Sequence, residues 1–248
     1  MAAMSKTLPH NAADTAHFRD KDKFRTFGRA KGKTLSPAQI SLMDNAFPKY
    51  DISKTIKSGK NPFADIEDEA WFEIGFGGAE HLIWQAKHNP QAHILGVEPF
   101  LNGIVKAVKG IEDNALKNVS LYRGDARDVI DLIPDNALDK VFVLFPDPWH
   151  KKRHHKRRLI QDDFVAQIHR ILKPNGIFRF GSDIIHYVDW AITRIHRHGG
   201  FDWSAQQQSD WRTRPDDWPE TRYLQKAIRE GRSGHFFEFT CKDNTATK

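Results

Sequence analysis

Asp147 lies between Pro146 and Pro148 at the end of an apolar run, and the residues after it, WHKKRHHKRR, include the cations Lys151, Lys152, Arg153, Lys156, Arg157 and Arg158. Proline fixes its own φ and drives the residue before it toward extended backbone, so the Asp147 carboxylate has little freedom. Guanidinium and ammonium groups at this density suit a row of phosphates. A solvated basic face or a targeting signal has the same composition, and the fixed acid beside the run favours phosphate contact. Trp149 adds a flat apolar surface for stacking or packing. His150, His154 and His155 are interleaved, but with no acid or thiol among them the stretch has no metal-ligand set.

Three more acids stand where short apolar runs end. Glu73 opens EIGFGG, in which Gly75, Gly77 and Gly78 permit a tight turn before a helix N-terminus. A dinucleotide fingerprint needs a third glycine where this chain has Glu80, a poor neighbour for a pyrophosphate. Glu98 follows about two dozen residues after Glu73, the separation at which a carboxylate accepts from a ribose diol. Asp125, in RGDA, is placed to accept from an exocyclic amine. Each acid alone reads as a loop carboxylate or a helix N-cap. Together, at successive strand ends, they describe a pocket for a phosphate-free nucleoside bearing an amino group, S-adenosyl-L-methionine.

The elements that must position these residues follow from periodicity. AWFEI, HILGVE, NVSLYRG, LDKVFVLF, GIFRFGS and HFFEFTC read as strands. AEHLIWQAKH, LNGIVKAVKGIEDNA, LIQDDFVAQIHRIL and IIHYVDWAITRIHRH read as helices, with KPNG ending the third. Alternation of the two predicts an open, doubly wound α/β sheet, in which ligands bind beyond the carboxyl ends of the strands. Residues 1–60 are polar and basic without sustained periodicity and predict a flexible basic arm before a domain over 61–248. In that arm Arg25, Arg29, Lys31 and Lys33 are candidate phosphate contacts. The 248 residues, 39% hydrophobic, suffice for one sizeable core, and the net charge of +6 favours a polyanionic partner. The single cysteine, Cys241, cannot form an internal disulfide and fits a reducing compartment. No apolar leader or bilayer-length run is present, so a cytoplasmic protein with no membrane partner is expected.

With FEIGFGG, GVEPF, GDA, FPDPWHKKRHHKRR and SDI read, residues 68 to 240 resemble the bacterial tRNA (guanine-N7-)-methyltransferases, the TrmB family. The resemblance implies a class I methyltransferase Rossmann-like sheet of about seven strands with the last antiparallel. It implies transfer of a methyl group from S-adenosyl-L-methionine to N7 of guanine 46 in the tRNA variable loop. By the same resemblance Glu73, Gly75, Gly77, Glu98, Asp125 and Asp147 meet the cofactor, and Asp147 is catalytic. Lys151 and Asp183 contact the substrate, Arg153, His154, His155, Lys156, Arg157 and Arg158 contact RNA, and Thr221, Arg222 and Tyr223 belong to a substrate-binding tetrad. That tetrad is T-[KR]-[FY]-E in the family, and here Leu224 replaces the acid. A non-catalytic RNA-binding protein that keeps the fold is the alternative reading. Monomer and homodimer are both compatible with the sequence, and no metal is expected.

Overall fold

The computed structural model describes residues 32–243. Seven strands form one sheet in the order β3-β2-β1-β4-β5-β7-β6: β1 (Glu69–Ile74), β2 (Ala92–Val97), β3 (Val119–Tyr122), β4 (Leu138–Leu144), β5 (Leu172–Ser182), β6 (Phe201–Trp203) and β7 (His235–Cys241). β1 pairs in parallel with β2 and β4, and β4 with β5, whereas β7 runs antiparallel to both β5 and β6. This is the expected α/β arrangement with its last strand reversed. The one strand that periodicity misses is β6, three residues long with two of them exposed, too short to show an alternation.

The helices are α1 (Pro37–Asn45), α2 (Ser53–Lys57), α3 (Glu80–His88), α4 (Leu101–Asp113), α5 (Ala126–Ile130), α6 (Asp162–Ile171), α7 (Ile185–His198), α8 (Ser209–Arg212) and α9 (Arg222–Arg229). Central strands are buried on both faces, so successive side chains feed opposite cores. Trp71 and Phe142 pack with Leu82, Ile104 and Ile111 of α3 and α4. Phe72, Val141 and Val143 pack with Phe164 and Ile168 of α6 and Tyr187 of α7. Phe142 is 1% exposed, with its ring centroid 5.8 Å from Trp71 and 4.9 Å from His81, and truncation to alanine would cost about 3–5 kcal/mol.

The expectation of a flexible arm to residue 60 differs from the structure, which folds residues from Ser36 onward against the sheet. Ser36 and Gln39 form a capping box around α1, with Pro37 at its first position. Leu42, Met43, Phe47 and Tyr50 then pack against the α3–α4 layer. Asp51 bridges to Leu121 as a short parallel continuation that covers the β3 edge, and Ile56 is buried beyond it. The physical reason is that these apolar residues are too sparse for a period yet meet a preformed surface. Arg25, Arg29 and Lys31 lie outside the described residues; Lys33 is exposed.

Candidate active site

A cavity of about 320 Å³ opens beyond the carboxyl ends of β1, β2, β3 and β4. It sits where the strand order reverses about β1, the place at which open α/β sheets bind ligands. Gly75 (φ +73) and Gly77 (φ +56) turn the chain out of β1 through left-handed backbone that only glycine adopts without strain. A Cβ on Gly77 would also lie 2.6 Å from the Tyr223 ring, so the loop and that ring close on each other.

Glu98 is 7% exposed, and its two oxygens accept from the backbone N–H groups of Gly77 (2.7 Å) and Phe100 (2.9 Å). Burial raises its pKa, partly offset by those two hydrogen bonds, and the charges of Asp147 and Glu73 push it further up. The hydrogen bonds fix the carboxylate while leaving each oxygen a lone pair for a ligand. Asp125 caps α5, accepting from Arg127 N at 3.1 Å and from the Arg127 guanidinium at 3.2 Å, and it also lines the cavity. The N-cap and pocket readings therefore hold together for one side chain.

Glu73 is buried but does not line the cavity. Its Oε2 lies 2.9 Å from His81 Nδ1; His81 is followed by Gln85 at 3.1 Å, which donates to the Asp217 carbonyl at 2.6 Å. This polar chain ties β1 to the segment ahead of α9, and nothing in the spacing of Glu73 and His81 announced it. Glu80 stands beside the glycine loop, as its place in the sequence implies, but not as a lone charge. It pairs with Arg222 at 2.6 Å, and the pair lies against Gly78 of the glycine loop, so the Glu80 charge is answered where it meets the loop. The cavity's polar lining of carboxylates, with cations only in Arg127 and Arg157, is what disfavours a pyrophosphate.

Asp147 stands at the cavity mouth and makes no hydrogen bond or ion pair among the described residues. Its side chain meets solvent, yet the protein around it still raises its pKa by desolvation. The loop that carries it is bracketed by two left-handed non-glycine residues, Phe145 (φ +50) and Trp149 (φ +45), a strain of about 1–3 kcal/mol each that the surroundings must hold. Phe145 N donates to Gly181 O at 2.7 Å, and its ring packs on Phe236. Trp149 is held edge-on to His154 and under the Arg157 guanidinium, 5.1 Å from the ring centroid.

The basic run folds as a 3-10 helix over Lys152–Arg157, which starts after Lys151 in extended backbone. Lys151, Lys152, Arg153 and Lys156 are exposed, His154 and His155 half-buried, and Arg157 half-buried at the cavity wall. Arg158 does not join them. It is 2% exposed, donates through Nε to the Pro148 carbonyl at 2.8 Å, and lies over the rings of Tyr187 and Trp190. Where an RNA contact is expected, the structure shows the guanidinium turned inward, holding the Asp147 loop through the Pro148 carbonyl and packed on Tyr187 and Trp190.

Asp183, after β5, accepts at 2.7 Å from Arg232, which also binds Glu230 at 2.6 Å. Arg232 carried no sequence signal, since only tertiary folding brings it to β5. Thr221 caps α9 through Leu224 N at 3.3 Å, and Tyr223 lines the cavity. Leu224 is buried with Trp218 and Phe236 in a small apolar cluster that Leu144 and Phe145 join. The residue that departs from the tetrad is thus a packing anchor beside the Asp147 loop. Among the described residues no cluster suits a metal ion, and no helix is long and apolar enough to cross a membrane.

A family model described as "Putative methyltransferase" matches residues 67–236. The chain is 43% identical over 217 residues to a tRNA (guanine-N(7)-)-methyltransferase of Agrobacterium fabrum, covering 86% of this chain and 93% of that one. It is 44% identical over 207 residues to one of Caulobacter vibrioides, covering 82% and 89%. It is 45% identical over 210 residues to one of Hyphomonas neptunium, covering 82% and 94%. With identity of this level over most of both chains, and the glycine loop, the strand-end acids and the Asp147 loop assembled about one cavity, this chain belongs to the tRNA (guanine-N7-)-methyltransferase family.

Proposed function

We propose that this protein transfers the methyl group of S-adenosyl-L-methionine to N7 of a guanine in tRNA, at position 46 of the variable loop, forming 7-methylguanosine. The observation that carries the reading is Asp147: an unpartnered carboxylate, on a loop clamped from both sides, between a carboxylate-lined cavity and an exposed basic helix.

The cavity fits the cofactor by its donor set. Ile74, Val97, Phe100 and Leu159 offer apolar walls for a purine, and Glu98 and Asp125 offer acceptors for hydroxyl and amino protons. Gly75 and Gly77 keep side chains out of the approach. Glu73 serves at one remove, its charge lying close to Glu98. When bound, S-adenosyl-L-methionine supplies an electrophilic methyl group on a sulfonium.

Guanine N7 has an in-plane lone pair and no proton, so a C–N bond can form as the C–S bond breaks without a base at the nucleophile. Positive charge then spreads over the ring and makes N1–H a stronger donor. Asp147 accepts from N1–H and the N2 amine, and that hydrogen bond tightens in the transition state, which is positioning combined with electrostatic stabilisation. Asp183 assists through its second oxygen, Arg232 holding the first. Lys151, Arg153 and Lys156, all exposed, grip the phosphates. The non-catalytic alternative draws slight support from the Leu224 departure, and the packing of Leu224 with Trp218 and Phe236 gives that residue a structural role of its own.

Labelled S-adenosyl-L-methionine and an unmodified tRNA transcript test this. Label is expected in the RNA, with strand scission at position 46 after borohydride reduction and aniline treatment. Label at another nucleoside, or none in RNA, would overturn the proposal.

A further inference from the structure

α9 turns Arg222, Lys226 and Arg229 to one side. At 3.6 residues per turn the three lie within an arc of about 60°, spread over about 10 Å of helix axis. That arc is opposite Leu224 and Ala227, the residues α9 buries, and all three cations are exposed. Arg222 is paired with Glu80. Among the described residues Lys226 pairs only with Glu230, at 3.8 Å, and Glu230 is held more closely by Arg232 at 2.6 Å. Arg229 makes no ion pair among the described residues. From Arg222 to Arg232 the chain carries four cations and one acid.

The position of this stripe gives it meaning. Tyr223, at the start of α9, lines the same cavity as Trp149 and Arg157 of the basic stretch. Each set of cations is thus joined along the chain to a residue that lines this one cavity. Thr221 caps the helix and Leu224 anchors it on Trp218 and Phe236, so the stripe is held rigidly outward. A solvated face would need neither that alignment nor that excess of one sign.

We infer that the outer face of α9 is a second phosphate-binding rail for the RNA substrate. It faces the 3-10 helix across the cavity, and the target guanine enters between them. This rests on tRNA being the substrate. Arg229 and Lys226 meet the phosphodiester backbone, and Arg222 steadies the end nearest the cavity.

The test measures tRNA binding against salt for Lys226→Ala/Arg229→Ala, with Arg153→Ala/Lys156→Ala as comparator. Each lost phosphate contact lowers the slope of log K against log salt by about 0.7–0.9, so the α9 variant should lose roughly 1.6 and bind tRNA roughly tenfold more weakly. Lys226→Arg/Arg229→Lys, which keeps the charges, should bind as the parent does, and S-adenosyl-L-methionine affinity should be unchanged in every variant. If the α9 variant keeps the parental slope while the comparator loses its own, the rail is refuted and the substrate reading stands. If neither variant changes, the assignment of tRNA falls with it. A loss that the charge-keeping variant shares would refute the rail as well, since helix packing rather than charge would be responsible.

Discussion

Replacing Asp147 by asparagine should slow methyl transfer while sparing the fold. The substitution keeps the shape and one acceptor but removes the charge and turns an amide donor toward the guanine N1 and N2 donors. A unit charge about 6 Å from a positive ring, at an effective dielectric near 20, stabilises it by about 3 kcal/mol. Solvent at the cavity mouth screens part of this, and the lost charge-assisted hydrogen bond restores a similar amount. The single-turnover rate should therefore fall by roughly 10²-fold. Stability should move the other way. Desolvation raises the folded pKa of Asp147, so the contribution it makes is present at low pH and is lost as pH rises through that pKa. At neutral pH the ionised carboxylate is thus a cost to the fold, and asparagine should leave the melting temperature equal or slightly higher. Rapid quench with saturating enzyme and labelled cofactor gives the rate, and calorimetry gives the melting point. A rate within threefold of the parent at unchanged stability would refute charge stabilisation by Asp147.

Three further outcomes follow from the same geometry. Glu98→Ala removes the acceptor fixed by Gly77 and Phe100, and should weaken S-adenosyl-L-methionine by about 2–3 kcal/mol in titration calorimetry; unchanged affinity would take Glu98 out of the site. Because burial raises the Glu98 pKa, cofactor affinity should fall as pH drops through a value above the ordinary carboxylate range, and binding near that pH should release protons; buffers of different ionisation enthalpy read this directly, and binding independent of pH there would contradict it. Arg158→Ala should destabilise the protein by about 2–4 kcal/mol and slow methyl transfer while leaving the salt slope of tRNA binding as it was, whereas a reduced slope would return Arg158 to the RNA interface.

The central strands were legible because they are buried on both faces and read as apolar runs, and the helices between them because Ile104, Val108 and Ile111, or Phe164, Ile168 and Ile171, recur at helical spacing. The strand-end acids were legible as a set, since a parallel sheet brings its carboxyl ends together whatever the details of each loop. What each acid touches was not. Glu73 meets His81, Glu80 meets Arg222, and Asp183 meets Arg232, pairings set by tertiary packing across 8 to 142 residues of chain. The inward turn of Arg158 was hidden for the same reason, as composition cannot separate it from five neighbouring cations. α1 was readable in principle from Ser36-Pro37-Ala38-Gln39, a capping-box pattern with proline at the first turn. α9 was concealed because only Leu224 and Ala227 face inward, too few for an apolar period.

The claim at the centre is that the nucleophile is the N7 lone pair of guanine 46, oriented by a carboxylate and needing no base. A tRNA carrying 7-deazaguanosine at position 46 keeps the base's N1 and N2 protons and replaces N7 by a carbon. Under single-turnover conditions with labelled S-adenosyl-L-methionine, this tRNA should bind with parental affinity, compete with the unmodified transcript and accept no methyl group. Methyl transfer to the deaza substrate at a rate comparable with the parent would contradict the account.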